Sequence, residues 1–176
     1  MKSPLPTSWL DAWRFAAEAH NLQKVPDADL PYLHHLGRVA LIVMAAHQSL
    51  PIADIDLALN CSILHDCIED QNITHVDLMK RFGATVANGV LALSKNQNMS
   101  KTEAMADSLT RIREQPISVW CVKLADRIAN MQKPPAHWSP EKSATYRLEA
   151  QQILDALGSA NAILATWLAS SIGAYQ

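Results

Sequence analysis

An all-α fold is predicted for this chain by three features of its sequence. Glycine is scarce at five residues in 176, alanine and leucine are abundant, and no stretch alternates apolar and polar side chains over the length of a strand. Apolar positions recur instead with the 3.6-residue period of helices. About half of the residues are hydrophobic, enough for one core, and the length fits a single domain over 1–176. The expected architecture is a bundle of about eight to ten helices.

The first helix is expected over 8–23. The loop 25–31 follows, where Pro26 and Pro31 exclude helix because each lacks an N–H and restricts the residue before it. A second helix is predicted over 34–48. A third, over 54–69, runs through the apolar stretch Leu57-Ala58-Leu59-Asn60-Cys61-Ser62-Ile63-Leu64. Shorter helices fit 74–81 and 84–94. Thr74-His75-Val76-Asp77 and Ser100-Lys101-Thr102-Glu103 both have capping-box spacing, so each marks a helix start by a mechanism rather than by propensity alone. The second box opens a helix reaching about Arg113. Beyond Pro116 an apolar segment runs to Met131. Ser139-Pro140 reads as a cap followed by proline at the first helical position, and two closing helices fill most of 141–174. The uncharged tail from Ala156 is diluted by Gly158, Ser159, Asn161, Thr166, Ser170, Ser171 and Gly173. That dilution favours a buried or subunit-facing helix, a candidate homodimer face, over a membrane span.

A formal net charge of −2 and a pI near 6.4 provide no basic field of the kind non-specific nucleic-acid binding needs, so no nucleic-acid partner is expected. Cys61, Cys67 and Cys121 form no CxxC pair, and the odd count fits reduced, buried thiols rather than a disulfide or zinc framework. The first residues lack the apolar run of a signal peptide, and the apolar stretch 39–46 is too short to span a bilayer. A cytoplasmic protein without a membrane segment is expected.

The strongest local signal is His65-Asp66-Cys67-Ile68-Glu69-Asp70, where charges interrupt a core-like run. On a continuous helix His65 and Glu69 share one face and Asp66 and Asp70 the next, all four within roughly 140° of arc. Three carboxylates lining one pocket are costly unless a positive charge neutralises them, and a divalent cation does so. The same residues also fit a solvated helix end, since Gln71 and Asn72 follow. With seven histidines in the chain, one His-Asp pair is little above chance, so the motif needs partners. Asp126, an acid amid the core-type residues of Lys123-Leu124-Ala125-Asp126-Arg127, is one. The other is His35, at the end of Pro31-Tyr32-Leu33-His34-His35. Each alone is more often structural, Asp126 through pairing with Lys123 or Arg127. Together His35, His65, Asp66 and Asp126 give two imidazoles and two carboxylates, which suit manganese or iron better than a closed structural zinc site. Glu69 and Asp70 then stand as candidate general acid and base for metal-assisted hydrolysis of a phosphate compound.

In order and spacing these residues resemble the hydrolase domain of the RelA/SpoT alarmone enzymes, above all its stand-alone form, the small alarmone hydrolases related to metazoan SpoT homologues. The resemblance runs through Ala19-His20, Gln23-Lys24, the Pro31 to His35 segment with Val39-Ala40, and the His65 to Asp70 block. It continues through Phe82-Gly83-Ala84-Thr85-Val86-Ala87, Leu93-Ser94-Lys95 and the segment from Lys123 to Asn130. It implies an α-helical HD fold, Mn2+, and hydrolysis of the 3′-pyrophosphate of ppGpp or pppGpp to GDP or GTP and pyrophosphate. It also implies the same four metal ligands and Glu69 and Asp70 as the catalytic pair. Lys24, Lys95, Asn130 and Tyr146, with Lys142 and Arg147 as further neighbours, fall where the family binds base, ribose or phosphates. The small-molecule partner so implied is a nucleotide polyphosphate.

Many members carry Arg-Lys where this chain has Lys24-Val25, which removes an arginine plane for stacking on guanine. Base preference therefore stays open. Adenine alarmones such as (p)ppApp, or NADPH losing its 2′-phosphate, are alternatives at the same metal site, and a non-catalytic alarmone-binding module is another. Leu36 stands where a proline is usual after the metal-binding histidine, and Gln71 where a threonine is usual after the acidic pair. Trp9, Trp13, Trp120 and Trp167 are read as packing residues.

Overall fold

Among the described residues ten α-helices follow one another: α1 (Thr7–Ala19), α2 (Leu33–Ser49), α3 (Ile55–Leu64), α4 (Cys67–Asp70), α5 (His75–Phe82), α6 (Ala84–Leu93), α7 (Lys101–Arg113), α8 (Ile117–Asn130), α9 (Pro140–Leu157) and α10 (Ala162–Ala174). A 3-10 turn, Gly158–Ala160, links the last two. The structure is a computed structural model that describes residues 7–132 and 134–175, and within them there is no strand, only an isolated bridge between Lys24 and Pro31. The all-α expectation holds.

Capping chemistry sets several boundaries. Both expected capping boxes form, Thr74 with Asp77 ahead of α5 and Ser100 with Glu103 ahead of α7. Asp54 accepts the Leu57 N–H at the start of α3, and Ser139 accepts the Lys142 N–H ahead of Pro140. Gly83, at φ +86°, turns the chain between α5 and α6 in a conformation that residues with a Cβ rarely adopt.

Two boundaries differ from the sequence reading. The first helix ends at Ala19 rather than 23, because the chain turns at His20, whose carbonyl accepts the Gln23 N–H at 3.0 Å. The helix expected over 54–69 is broken in two. α3 closes with His65 as its C-cap, and Asp66, at φ −98° and ψ −1°, begins the single turn of α4. The Asp66 side chain makes no capping bond at this break and turns to the Tyr32 hydroxyl instead. Apolar periodicity continues across the break, so the pattern alone does not reveal it.

The core is built around α3, whose residues from Leu57 to Leu64 are all buried and which packs against α1, α2, α6 and α8. α6 approaches it at Gly89, where a Cβ would lie 2.8 Å from Cys61 Sγ and 3.1 Å from Val119. The 13-residue α10 docks on α8 and α9 and buries Leu164 and Leu168. No helix among the described residues is long and apolar enough to cross a membrane, as the preference for a buried or subunit-facing tail helix over a span anticipates. All three cysteines are buried and free.

Candidate metal centre

Three elements bring the four expected ligands together. His35 lies in the first turn of α2, His65 and Asp66 sit at the break between α3 and α4, and Asp126 projects from the buried face of α8. The α2–α3, α2–α8 and α3–α8 contacts fix these elements relative to one another. His35 Nε2 and His65 Nε2 are 3.3 Å apart. Asp126 Oδ1 lies 3.5 Å from the former and 3.7 Å from the latter, and Asp66 Oδ2 lies 3.6 and 3.0 Å from them.

Two donors bound to one ion at roughly 2.1 Å stand roughly 3.0–3.4 Å apart in octahedral-cis or tetrahedral arrangements; the 3.0 and 3.3 Å spacings fall in that range and the 3.5, 3.6 and 3.7 Å spacings lie a few tenths of an ångström beyond it. The ligand atoms of His35, His65 and Asp126 lie within 4.8 Å of one another, which satisfies mutual reach for a three-residue set. The chemistry of the donors agrees. His65 Nδ1 faces the Ser62 carbonyl at 2.9 Å and must donate to it, so in the neutral ring Nε2 carries the lone pair and points at the cluster. Asp66 makes no capping bond to its own helix; its Oδ2 accepts the Tyr32 hydroxyl at 2.6 Å. Asp126 accepts Lys123 Nζ at 3.1 Å and Asn130 Nδ2 at 2.7 Å, residues three before and four after it on one face of α8.

The electrostatics describe a site shaped for positive charge. Burial opposes a proton on His65, but the Asp66 and Asp126 carboxylates and the Ser62 carbonyl outweigh it and lift the imidazole to about 9. Burial likewise opposes ionisation of Asp66, yet His65 and the Tyr32 hydroxyl bring it down to about 2. Asp126 is held well below the usual carboxylate range against its burial, first by Lys123 and then by the two histidines. Burial and the neighbouring Asp66 keep Tyr32 in its phenol form.

The acidic pair borders this cluster. Glu69 Oε2 accepts the backbone N–H of Lys95 at 2.8 Å, and Asp70 Oδ2 accepts Gln23 Nε2 at 2.8 Å. Glu69, but not Asp70, lines a cavity of about 750 Å³ together with Lys95, Lys101, Trp138, Lys142 and Tyr146. That size falls in the range of small-molecule pockets, roughly 300–1,000 Å³. Burial, together with the like charges of Lys123 and Arg127, lowers the Lys95 ammonium from its ordinary value.

The six residues expected at or near the substrate are placed differently. Lys95, Lys142 and Tyr146 line the cavity; the Lys142 ammonium lies 4.2 Å over the Trp138 ring, and Tyr146 packs between Trp138 and the Arg127 guanidinium. Asn130 instead bonds Asp126. Lys24 is exposed in an ion pair with Asp29 and is not part of that lining, and Arg147 borders a separate cleft with Pro134, Trp138 and Tyr175. Sequence reading missed Tyr32, Ser62, Lys101 and Trp138. Tyr32 and Ser62 each stand three residues before a ligand histidine, a spacing that could have flagged them. Lys101 and Trp138 carry no local signal.

Comparison with known proteins follows the same line. A family model described as HD domain matches residues 12–164. The guanosine-3′,5′-bis(diphosphate) 3′-pyrophosphohydrolase MESH1 of Danio rerio is 30% identical over 160 residues, covering 88% of this chain and 87% of the relative. Its Homo sapiens counterpart is 29% identical over 157 residues, 86% of each chain. Among solved structures, a metazoan orthologue of SpoT that hydrolyses ppGpp and plays a role in starvation responses matches with a TM-score of 0.82 at 24% identity. That match covers 97% of this chain and 96% of the other, and bears on the fold.

Proposed function

Because the chain belongs to the HD-domain family, and within it to the stand-alone hydrolases related to metazoan SpoT homologues, we propose a manganese-dependent (p)ppGpp 3′-pyrophosphohydrolase. One HD phosphohydrolase domain over 1–176 would convert (p)ppGpp and water to GDP or GTP and pyrophosphate. The observation that carries this reading is the convergence of two imidazoles and two carboxylates, from His35, His65, Asp66 and Asp126, with Glu69, three residues after Asp66, lining a cavity that also holds Lys95, Lys101 and Lys142.

A divalent ion, which His35, His65, Asp66 and Asp126 would hold, would supply Lewis acidity to phosphoryl oxygens and make water easier to deprotonate. The side chains do the rest. Glu69 and Asp70 take the proton of the attacking water and return one to the departing 3′-oxygen. Lys95 and Lys142, with Lys101, offset phosphate charge in the cavity, and Tyr146 and Trp138 offer flat faces to base or ribose. Lys24 and Asn130 complete the proposed contacts. Tyr32, Ser62 and Lys123 hold the ligands in place. The three buried free thiols support a reducing compartment such as the cytoplasm, and the uncharged α10 is the face through which two copies would pair.

Lys24 is tied to Asp29 and followed by Val25, so no arginine plane stands there for guanine, and this favours a second reading with (p)ppApp or NADPH as substrate. Incubating the manganese-loaded protein with ppGpp, pppApp and NADPH separates the two. Pyrophosphate from ppGpp is the expected result. Turnover of pppApp or NADPH alone moves the substrate, and affinity for ppGpp without products replaces the enzyme by a binding module.

A further inference from the structure

Glu69 and Asp70 are neighbours in α4, yet they are held differently. Glu69 is tied to a backbone amide, that of Lys95. Asp70 is exposed at the end of a one-turn helix, where burial does not fix its rotamer. Among the described residues its carboxylate has one hydrogen-bond partner, Gln23 Nε2, 47 positions earlier in the chain.

The orientation of the Gln23 amide is determined by its surroundings. A carboxylate only accepts, so the NH2 of Gln23 faces Asp70. Its Oε1 then accepts from Gln71 Nε2 and, at 2.6 Å, from His20 Nδ1, which must carry the ring proton. His20 is a buried anchor. It is 2% exposed, its ring stacks on Tyr32 at 5.1 Å between centroids, and its Nε2 lies 3.6 Å from Cys67 Sγ. The backbone of Gln23 is pinned as well, its N–H donating to the His20 carbonyl and its carbonyl accepting the Tyr32 N–H. Rotating the amide would break three side-chain hydrogen bonds. A buried anchor thus reaches out of the core to fix an exposed carboxylate.

We propose that Gln23 is a positioning residue for the reaction, anchored by His20 and Gln71 and setting the rotamer of the Asp70 carboxylate. This rests on the pyrophosphohydrolase reading and deepens it, since Asp70 works as an acid–base group only where its oxygen is aimed. Gln23→Met keeps the side-chain length and removes the amide. With ppGpp as substrate, kcat falls about 10- to 100-fold, the scale of a misplaced catalytic group. KM, Mn2+ affinity and the thermal midpoint stay at wild-type values. In an Asp70→Ala background the same substitution changes kcat no further, because the group it positions is gone.

Wild-type kcat in Gln23→Met, or an equal additional loss in the Asp70→Ala background, overturns the inference and leaves the pyrophosphohydrolase reading standing. A wild-type protein that releases no pyrophosphate from ppGpp overturns the reading and the inference together. Should Gln23→Met not fold, Gln23→Glu keeps the length and meets Asp70 with an acceptor instead of a donor. It is expected to show the same loss of kcat, and a wild-type kcat in that variant overturns the proposal.

Discussion

His65 shows how single residues encode the site. An imidazole lifted to about 9 by two carboxylates holds a proton at neutral pH, and a metal ligand must shed it. Metal affinity therefore rises as pH rises, by about tenfold per unit while one proton is displaced. Titration calorimetry with Mn2+ at pH 7 and pH 8 checks this, and a pH-independent affinity would contradict it. Without metal the sign reverses for stability. A raised folded-state value contributes stability that is complete below the unfolded value of 6.5 and is lost as pH climbs through about 9, so the thermal midpoint of the metal-free protein declines over that window. Tyr32→Phe removes only the hydroxyl on Asp66; Mn2+ affinity should drop about tenfold with helicity unchanged, whereas unaltered affinity would show the bond to be incidental. The four residues of the cluster were legible in the sequence because charged residues stand out within apolar runs. Tyr32 was not, because an aromatic at a helix start reads as packing. Lys101 and Trp138 were hidden because α7 and the segment ahead of α9 bring them to the cavity from distant parts of the chain.

At the scale of elements, capping chemistry was the most reliable guide. The boxes at Thr74 and Ser100 and the Ser139-Pro140 start all form as the sequence implies. The unbroken helix over 54–69 was the chief misreading. It grouped His65, Asp66, Glu69 and Asp70 through helical spacing, whereas a break at Asp66 frees that carboxylate to face the imidazoles and Tyr32. No local propensity identifies the break, since its cause is tertiary. Gly89 tests the packing that carries this region. Gly89→Ala presses a methyl into Cys61 and Val119, and a loss of about 1–3 kcal/mol is expected in denaturant melts. An unchanged midpoint would mean that α3 and α6 can separate freely.

For the whole molecule, helices from both halves of the chain meet at one cluster, so metal binding and folding are linked. A metal that binds only the folded form stabilises it, and a chelator should lower the thermal midpoint of wild type but not of Asp66→Ala. Equal responses of the two proteins would place the ion elsewhere. The all-α class was legible from composition and periodicity, while the relative placement of α2, α3 and α8 was not, because it depends on contacts between residues far apart in sequence. The measurement that bears most directly on the whole account is pyrophosphate release from ppGpp by the manganese-loaded protein, with Asp66→Ala in parallel and both folded by circular dichroism. Stoichiometric GDP and pyrophosphate are expected from wild type, and at least about a hundredfold less, on the order of a lost catalytic metal, from the variant. Equal rates from the two proteins would contradict it.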